Sequence, residues 1–339
     1  MAPIHILYVL EATDGGTRRH LRDLACNLPG GFTASVVVST SRDPAFAQED
    51  RPVYEKKGVR WIEHPMKRRV GAGDLLAVRR FGNLLRDIRP DIVHAHSSKA
   101  GAIARLASRG AFPVVYTPHG FSFLMPGFVW PYRMFERIAV RWTDALICVT
   151  EEERRLAKGL GYPEDRVWLI RNGIEAAVAE PAGTQRREVI GFFGRDTYQK
   201  GTDILRSCRK LPIRFFTDYP QTRAIDLMRT VAVAAMPSRW EGCPYTLLEA
   251  WAAGTPVAAS AVGGFREMIR HGENGWLLPP GAAAGGWERE LGAILKNQAL
   301  CRRLAEGGRR SLSAFSRSRM LEETLSAYRR VLQERDGTT

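Results

Sequence analysis

The stretch Pro237-Ser238-Arg239-Trp240-Glu241-Gly242-Cys243-Pro244-Tyr245-Thr246-Leu247-Leu248-Glu249-Ala250 follows a short apolar run, Val231–Met236, and passes directly into a helical pattern. Strand, tight loop and helix in that order are the repeating unit of a parallel α/β sheet. Glu241 falls in the loop and Glu249 about two turns further on, inside the helix. Gly242 lets the backbone approach a ligand closely, and Pro244 suits a helix start whose free N–H groups attract an anion. One carboxylate beside a sugar and another reaching a ribose hydroxyl fit a nucleotide-sugar. Taken alone, the pair reads more simply as a loop glutamate and a helix-surface glutamate with no task.

The same rhythm extends in both directions. His5–Leu10, Ala34–Ser39, Val59–Glu63, Asp91–His94, Pro113–Thr117, Ala145–Cys148 and Val167–Ile170 read as strands, separated by helical patterns at Thr17–Asn27, Asp74–Ile88, Ala100–Ala107, Pro131–Trp142 and Glu151–Leu160. After the turn Arg171-Asn172-Gly173 and the polar stretch Ala179–Glu188, the rhythm restarts with Val189–Phe193, Ile213–Thr217, Val231–Met236, Val257–Ala259 and Gly275–Leu278. The expected fold class is α/β, with two Rossmann-like domains facing across a cleft. The first domain spans 1–173 and the second 186–315, with the boundary near Gly173–Gln185. The helix at 316–335 packs back on the first domain.

The chain of 339 residues is too long for one ordinary core. Cys26, Cys148, Cys208, Cys243 and Cys301 are odd in number and lack ligand or disulfide spacing, which suits a reducing cytoplasm. Met1–Leu10 has no basic leader and runs into Glu11 and Asp14, so it reads as a strand, and no apolar stretch is long enough to span a membrane. The net charge of +14 calls for anions. Nucleic acid is not expected, because no helix-turn-helix, zinc-finger or RNP pattern is present.

Further segments follow the opening stretch in order: Ala253-Gly254-Thr255-Pro256-Val257, Val262-Gly263-Gly264-Phe265-Arg266-Glu267 and His271-Gly272-Glu273-Asn274-Gly275. The run from Pro237 to Pro280 resembles the E-x7-E donor-binding block of family 4 glycosyltransferases, the retaining enzymes of the GT-B fold. The resemblance implies Glu241 as a catalytic residue, Glu249 on the nucleotide ribose, and Gly242, Cys243, Pro244, Tyr245 and Thr246 as the donor loop. Upstream, Gly191-Phe192-Phe193-Gly194-Arg195 and Lys200-Gly201 resemble the family's diphosphate clamp. Two fixed cations there stabilise the charge that accumulates on a departing diphosphate. On their own, Arg195 and Lys200 read as surface cations.

Asp14-Gly15-Gly16-Thr17 closes the first strand and matches the family's N-terminal glycine loop, so Gly15 and Gly16 join the diphosphate-binding set. His119, in Tyr116-Thr117-Pro118-His119-Gly120, resembles the histidine that faces the donor sugar. His96 and Lys99, in the segment Asp91–Gly101, line the cleft or the acceptor site. His94 and His96 have no acidic companion, so no metal is expected. Neither is a cofactor: the nucleoside diphosphate sugar is the donor substrate and turnover is metal-independent.

Two regions read less simply. Pro131–Trp142 places Phe135, Ile138 and Trp142 on one face and Arg133, Arg137 and Arg141 on another. A core helix with solvated arginines is the plainer reading. A platform for an anionic membrane surface, helped by Lys67-Arg68-Arg69, Phe123, Phe128 and Trp130, is the sharper one. Between Lys200 and Glu241 the chain is shorter than the family pattern around Phe215-Phe216-Thr217-Asp218, which implies a smaller second domain. The expected function is transfer of a hexose-type unit, with retention, to a glycan or lipid-linked acceptor in surface-polysaccharide assembly, at the inner face of the membrane. A sugar-nucleotide epimerase and a non-catalytic nucleotide-sugar-binding subunit are the alternatives.

Overall fold

The computed structural model describes residues 2–13, 15–41, 43, 45–67, 70–124, 129–175, 188–217 and 219–337. Asp14, Arg68, Arg69, Phe128, Asp218 and most of the polar stretch at the expected domain boundary lie outside the described residues. The chain forms two units, Met1–Ile170 with Leu321–Thr339, and Arg171–Met320.

In the first unit the elements run β1 (Ile4–Leu10), α1 (Gly16–Ala25), β2 (Phe32–Val38), α2 (Ala45–Lys56), β3 (Arg60–Glu63), α3 (Gly73–Ile88), β4 (Ile92–His96), α4 (Ser98–Ser108), β5 (Val114–Thr117), α5 (Trp130–Ala139), β6 (Ala145–Cys148), α6 (Glu151–Leu160) and β7 (Val167–Leu169). The strands pair in parallel in the order β3-β2-β1-β4-β5-β6-β7. β1 and β4 are apolar along most of their length because helices cover both faces of such a sheet. α6 starts on Thr150, whose hydroxyl accepts from the Glu153 N–H, and stops at Gly161 in the left-handed region.

The second unit runs β8 (Ile190–Phe193), α7 (Thr202–Arg206), β9 (Ile213–Phe216), α8 (Ala224–Met228), β10 (Val233–Met236), α9 (Tyr245–Ala253), β11 (Val257–Ser260), α10 (Gly263–Met268), β12 (Trp276–Leu278), α11 (Ala284–Lys296) and α12 (Gln298–Ser311). Its parallel order is β12-β11-β10-β8-β9, around a core that includes Trp287, Leu291 and Ile294. The last helix, α13 (Arg317–Arg335), begins in this unit and ends in the first, where Tyr328 is buried.

One helix went unread in the sequence, and one reading needs correction. α2 escapes the periodicity reading, since Pro52 sits inside it and punctuates the pattern. α5 is not the core helix that Phe135, Ile138 and Trp142 suggest. Ile138 is 42% exposed, and the buried positions are Glu136 and Ala139. Glu136 turns inward because Arg105, fully buried on α4, takes both its oxygens at 2.8 and 2.9 Å. An internal ion pair therefore anchors α5 where an apolar stripe was expected.

The Arg105 guanidinium also lies 4.1 Å from the Tyr116 ring centroid, and that ring presses on α4 at Gly101. A Cβ at Gly101 would sit 2.3 Å from the ring. Gly101→Ala is therefore expected to destabilise the protein by about 1–3 kcal/mol through overpacking. Urea denaturation reads this directly; a midpoint equal to that of the unsubstituted protein would mean the ring moves aside at no cost.

Candidate active site

Each sheet has one place where neighbouring strands lead their connections away to opposite sides, and crevices open there beyond the strand C-termini. In the second unit this point lies between β8 and β10. The segment after β8 carries Gly194, Arg195 and Lys200, and the segment after β10 carries Ser238, Arg239 and Glu241. Topology thus brings together residues some forty positions apart. The Lys200 ammonium meets Glu241 Oε1 at 2.5 Å, and the Ser238 hydroxyl donates to the same oxygen at 2.8 Å. Arg195 is exposed beside this pair in sequence, after Gly194 in a positive-φ conformation.

The two loops are sewn together by contacts that sequence reasoning missed. The Arg239 N–H donates to the Gln199 carbonyl at 2.8 Å, and the Gln199 amide donates to the Trp240 carbonyl at 3.2 Å. The Arg239 guanidinium grips both Asp203 oxygens at 2.8 and 2.7 Å and donates to the Tyr198 carbonyl at 2.6 Å. It also lies 3.8 Å from the Tyr198 ring centroid. Gly201 is left-handed, and a Cβ there would fall 2.1 Å from the Pro237 carbonyl oxygen. Lys200 therefore sits in a short turn pinned on both sides.

The expected donor loop is packed as tightly. Cys243 and Tyr245 are buried, the Cys243 carbonyl accepts from Asn172 at 2.6 Å, and Pro244 caps α9. Gly242 and Thr246 are half-buried. The carbonyls of Glu241 and Gly242 lie 1.9 Å from where Cβ atoms of Gly263 and Gly264 would be, which explains the glycine pair. Glu249 is 5% exposed on α9, and burial raises the Tyr219 phenol pKa with the Glu249 carboxylate adding to it.

In the first unit the corresponding point lies between β1 and β4. Exposed Gly15 and Gly16 open α1, and His96 ends β4 with Ser97 following it. Residues two apart on a strand share a face, so the rings of His94 and His96 lie 4.0 Å apart. His94 is fully engaged, with Nδ1 2.5 Å from the Tyr328 hydroxyl and Nε2 2.8 Å from that of Thr117. His96 Nδ1 lies 3.1 Å from His119 Nε2. His20, on α1, completes the group with its ring 4.6 Å from that of His119. Burial, reinforced by neighbouring imidazoles, holds His94, His96 and His119 well below the ordinary imidazole range.

Sequence reasoning discounted a metal because His94 and His96 lacked an acidic companion. The structure supplies a third imidazole instead, and His20, His96 and His119 form a ligand-capable group. Lys99 pairs with Asp74 at 2.7 Å. His119 has φ 52°, a conformation rare for a residue with a side chain. Buried Glu153 supports it by accepting from the Gly120 N–H at 2.5 Å and the Val149 N–H at 2.7 Å. The spacing Thr150-x-x-Glu153 is a capping-box signature and could have flagged this glutamate.

Comparisons with known proteins bear on the family and the fold. The Glycosyltransferase Family 4 model matches residues 14–178, and the Glycosyl transferases group 1 model matches residues 212–311. EpsD of Bacillus subtilis (strain 168), which carries a glycosyltransferase name, is 28% identical over 307 residues, covering 75% of this chain and 80% of its own. The D-inositol 3-phosphate glycosyltransferase of Mycobacterium tuberculosis (strain F11) is 27% identical over 303 residues, covering 72% of this chain and 62% of its own. Among solved structures, Anabaena Alr3699/HepE in complex with UDP-glucose has TM-score 0.76 at 19% identity, over 96% of this chain and 100% of that one.

Arg239 is the residue whose loss tests the loop geometry. Its forked ion pair and ring contact together are worth about 1–2 kcal/mol. Arg239→Ala is expected to speed amide exchange at Lys200 and Gly201 about tenfold while β8 and β10 keep their protection. Lysine, unable to form the fork, should restore only part. Unchanged exchange in the alanine variant would assign the hold to the Gln199 contacts instead.

Proposed function

The chain belongs to the family 4 glycosyltransferases of the GT-B fold, and on that premise we propose that it transfers a hexosyl unit from a nucleoside diphosphate sugar to a glycan or lipid-linked acceptor with retention. The observation that carries the reading is the Lys200–Glu241 pair at the switch point of the second unit. In the ligand-free protein the two charges satisfy each other. A bound diphosphate offers Lys200 a stronger partner, and Glu241 is released to accept a hydrogen bond from the donor sugar.

Arg195 and Lys200 then hold the charge that grows on the leaving group, so turnover proceeds without a metal. The bond from the sugar's anomeric carbon to phosphate oxygen breaks, and its electron pair leaves with the diphosphate. The acceptor hydroxyl attacks from the same face and passes its proton to a diphosphate oxygen. Glu249 takes the ribose, and the backbone of Gly242 to Thr246 lines the donor loop. Gly15 and Gly16 take phosphate, His119 contacts the donor sugar, and His96 and Lys99 lie on the acceptor side. UDP-glucose in the HepE complex makes a UDP-sugar the first donor to try.

Calorimetric titration with a panel of nucleoside diphosphate sugars, followed by anomeric assignment of the product, tests the reading. Arg195→Ala and Lys200→Ala should each remove about 2–4 kcal/mol of transition-state stabilisation. Glu249→Ala should mainly raise KM and Glu241→Ala mainly lower kcat. A double cation variant with undiminished turnover, or a product of inverted configuration, would sink the assignment.

A membrane-facing role rests on α5. Arg133 and Arg137 are exposed there, as is Arg141 just beyond its end, and Trp130 is 64% exposed. Each basic residue near an anionic surface contributes about 1 kcal/mol, enough for reversible docking when several act together. No described helix is long and apolar enough to cross a membrane. Co-sedimentation with anionic vesicles should exceed that with neutral ones and fall when the three arginines become glutamine. Equal binding to both vesicle types would leave a soluble acceptor as the reading.

A further inference from the structure

We infer that His20, His96 and His119 form a binding site for a divalent transition-metal ion, of the class that prefers imidazole nitrogen. One ring nitrogen from each residue lies within 4.8 Å of the other two. A tetrahedral ion bound at the usual Zn–N length of about 2.0–2.1 Å sets its ligands about 3.3 Å apart. The His96 Nδ1 to His119 Nε2 separation of 3.1 Å is already close to this. The edges to His20, at most 4.8 Å, must shorten by up to about 1.5 Å to match.

Three further observations single out this group. His96 is fully buried, and its Nε2 has no hydrogen-bond partner among the described residues. An ion on Nδ1 leaves the proton of the neutral ring on Nε2, the nitrogen that no described residue engages. His94, 4.0 Å away, has both nitrogens committed to Tyr328 and Thr117, so it can brace the site without competing for the ion. His119 is half-buried, which gives the ion a way in. Three imidazoles without a carboxylate suit Zn2+, Co2+, Ni2+ or Cu2+ and not Mg2+ or Ca2+. The fourth position stays open to water.

The site does not depend on the sugar-transfer reading. It does bear on it: an ion ligated by His119 holds that ring away from a donor sugar, so occupancy should inhibit transfer.

Co2+ titration of the untagged full-length chain tests the proposal. One equivalent should bind with the intense visible bands of a four-coordinate nitrogen site, and equimolar Zn2+ should abolish them. His20→Ala and, separately, His119→Asn should weaken Co2+ binding at least about tenfold. Asparagine is chosen at 119 because it accepts a left-handed backbone. His271→Asn, outside the cluster, should bind as the unsubstituted chain does. No visible bands, or bands undiminished in both cluster variants, would overturn the site. Co2+ binding accompanied by Zn2+-insensitive transfer would keep the site and instead remove His119 from the donor sugar.

Discussion

Strands that run parallel all end at the same edge of their sheet, and this constraint organises everything functional in the chain. The hydrogen-bonded order β12-β11-β10-β8-β9 makes β8 and β10 neighbours although β9 lies between them in sequence. Their following loops must therefore meet, and connections leaving on opposite sides keep the space above them clear. Lys200 and Glu241 come together for that reason and not through proximity in the chain. In the first sheet the same constraint, acting between β1 and β4, brings His20 to His96.

The Lys200–Glu241 pair shows how two half-enclosed charges can satisfy each other within the protein. The two side chains are 17% and 8% exposed, so each would be expensive to leave unpaired. Ser238 adds a hydrogen bond to the same carboxylate oxygen and fixes its direction. A ligand that draws only the lysine would strand the glutamate. A ligand that offers an anion and a hydroxyl together satisfies both, and a nucleoside diphosphate sugar has that composition. On the proposed reading, the desolvation cost of separating the pair is what would discriminate against free phosphate.

Much of this was legible in the sequence. Ala145–Cys148 and Glu151–Leu160 match their elements residue for residue, because apolar runs between turn signals leave little freedom in a parallel sheet. Lys200, Glu241 and Glu249 stood out through the resemblance of their segments to the family's diphosphate clamp and E-x7-E block, not through their own spacing. What was hidden lies in pairing at a distance. Nothing in the periodicity of α5 announces that Glu136 turns inward to Arg105, thirty-one positions away. Arg239 reads as a surface cation until its partner Asp203 is in place, thirty-six positions back. His20 sits one turn into α1, and only the strand order reveals what its ring meets.

The two switch points solve the burial of polar groups differently, and the difference follows from their exposure. Around Lys200 an ammonium and a carboxylate offset each other, and water reaches part of the pair. Around His96 the rings of His20, His94 and His96 are buried and that of His119 half-buried, and an imidazolium would sit in that enclosure among other imidazoles. Burial keeps the rings neutral, so what they offer is lone pairs and N–H groups. Keeping three such rings together requires a backbone that turns sharply, hence the positive φ at Ser97 and His119. That strain, about 1–3 kcal/mol for each residue, must be offset nearby. Glu153 does so at His119, its two oxygens taking the Gly120 and Val149 N–H groups and tying the turn to the start of α6. A carboxylate remote from any reacting atom in sequence thereby governs where the His119 ring can point.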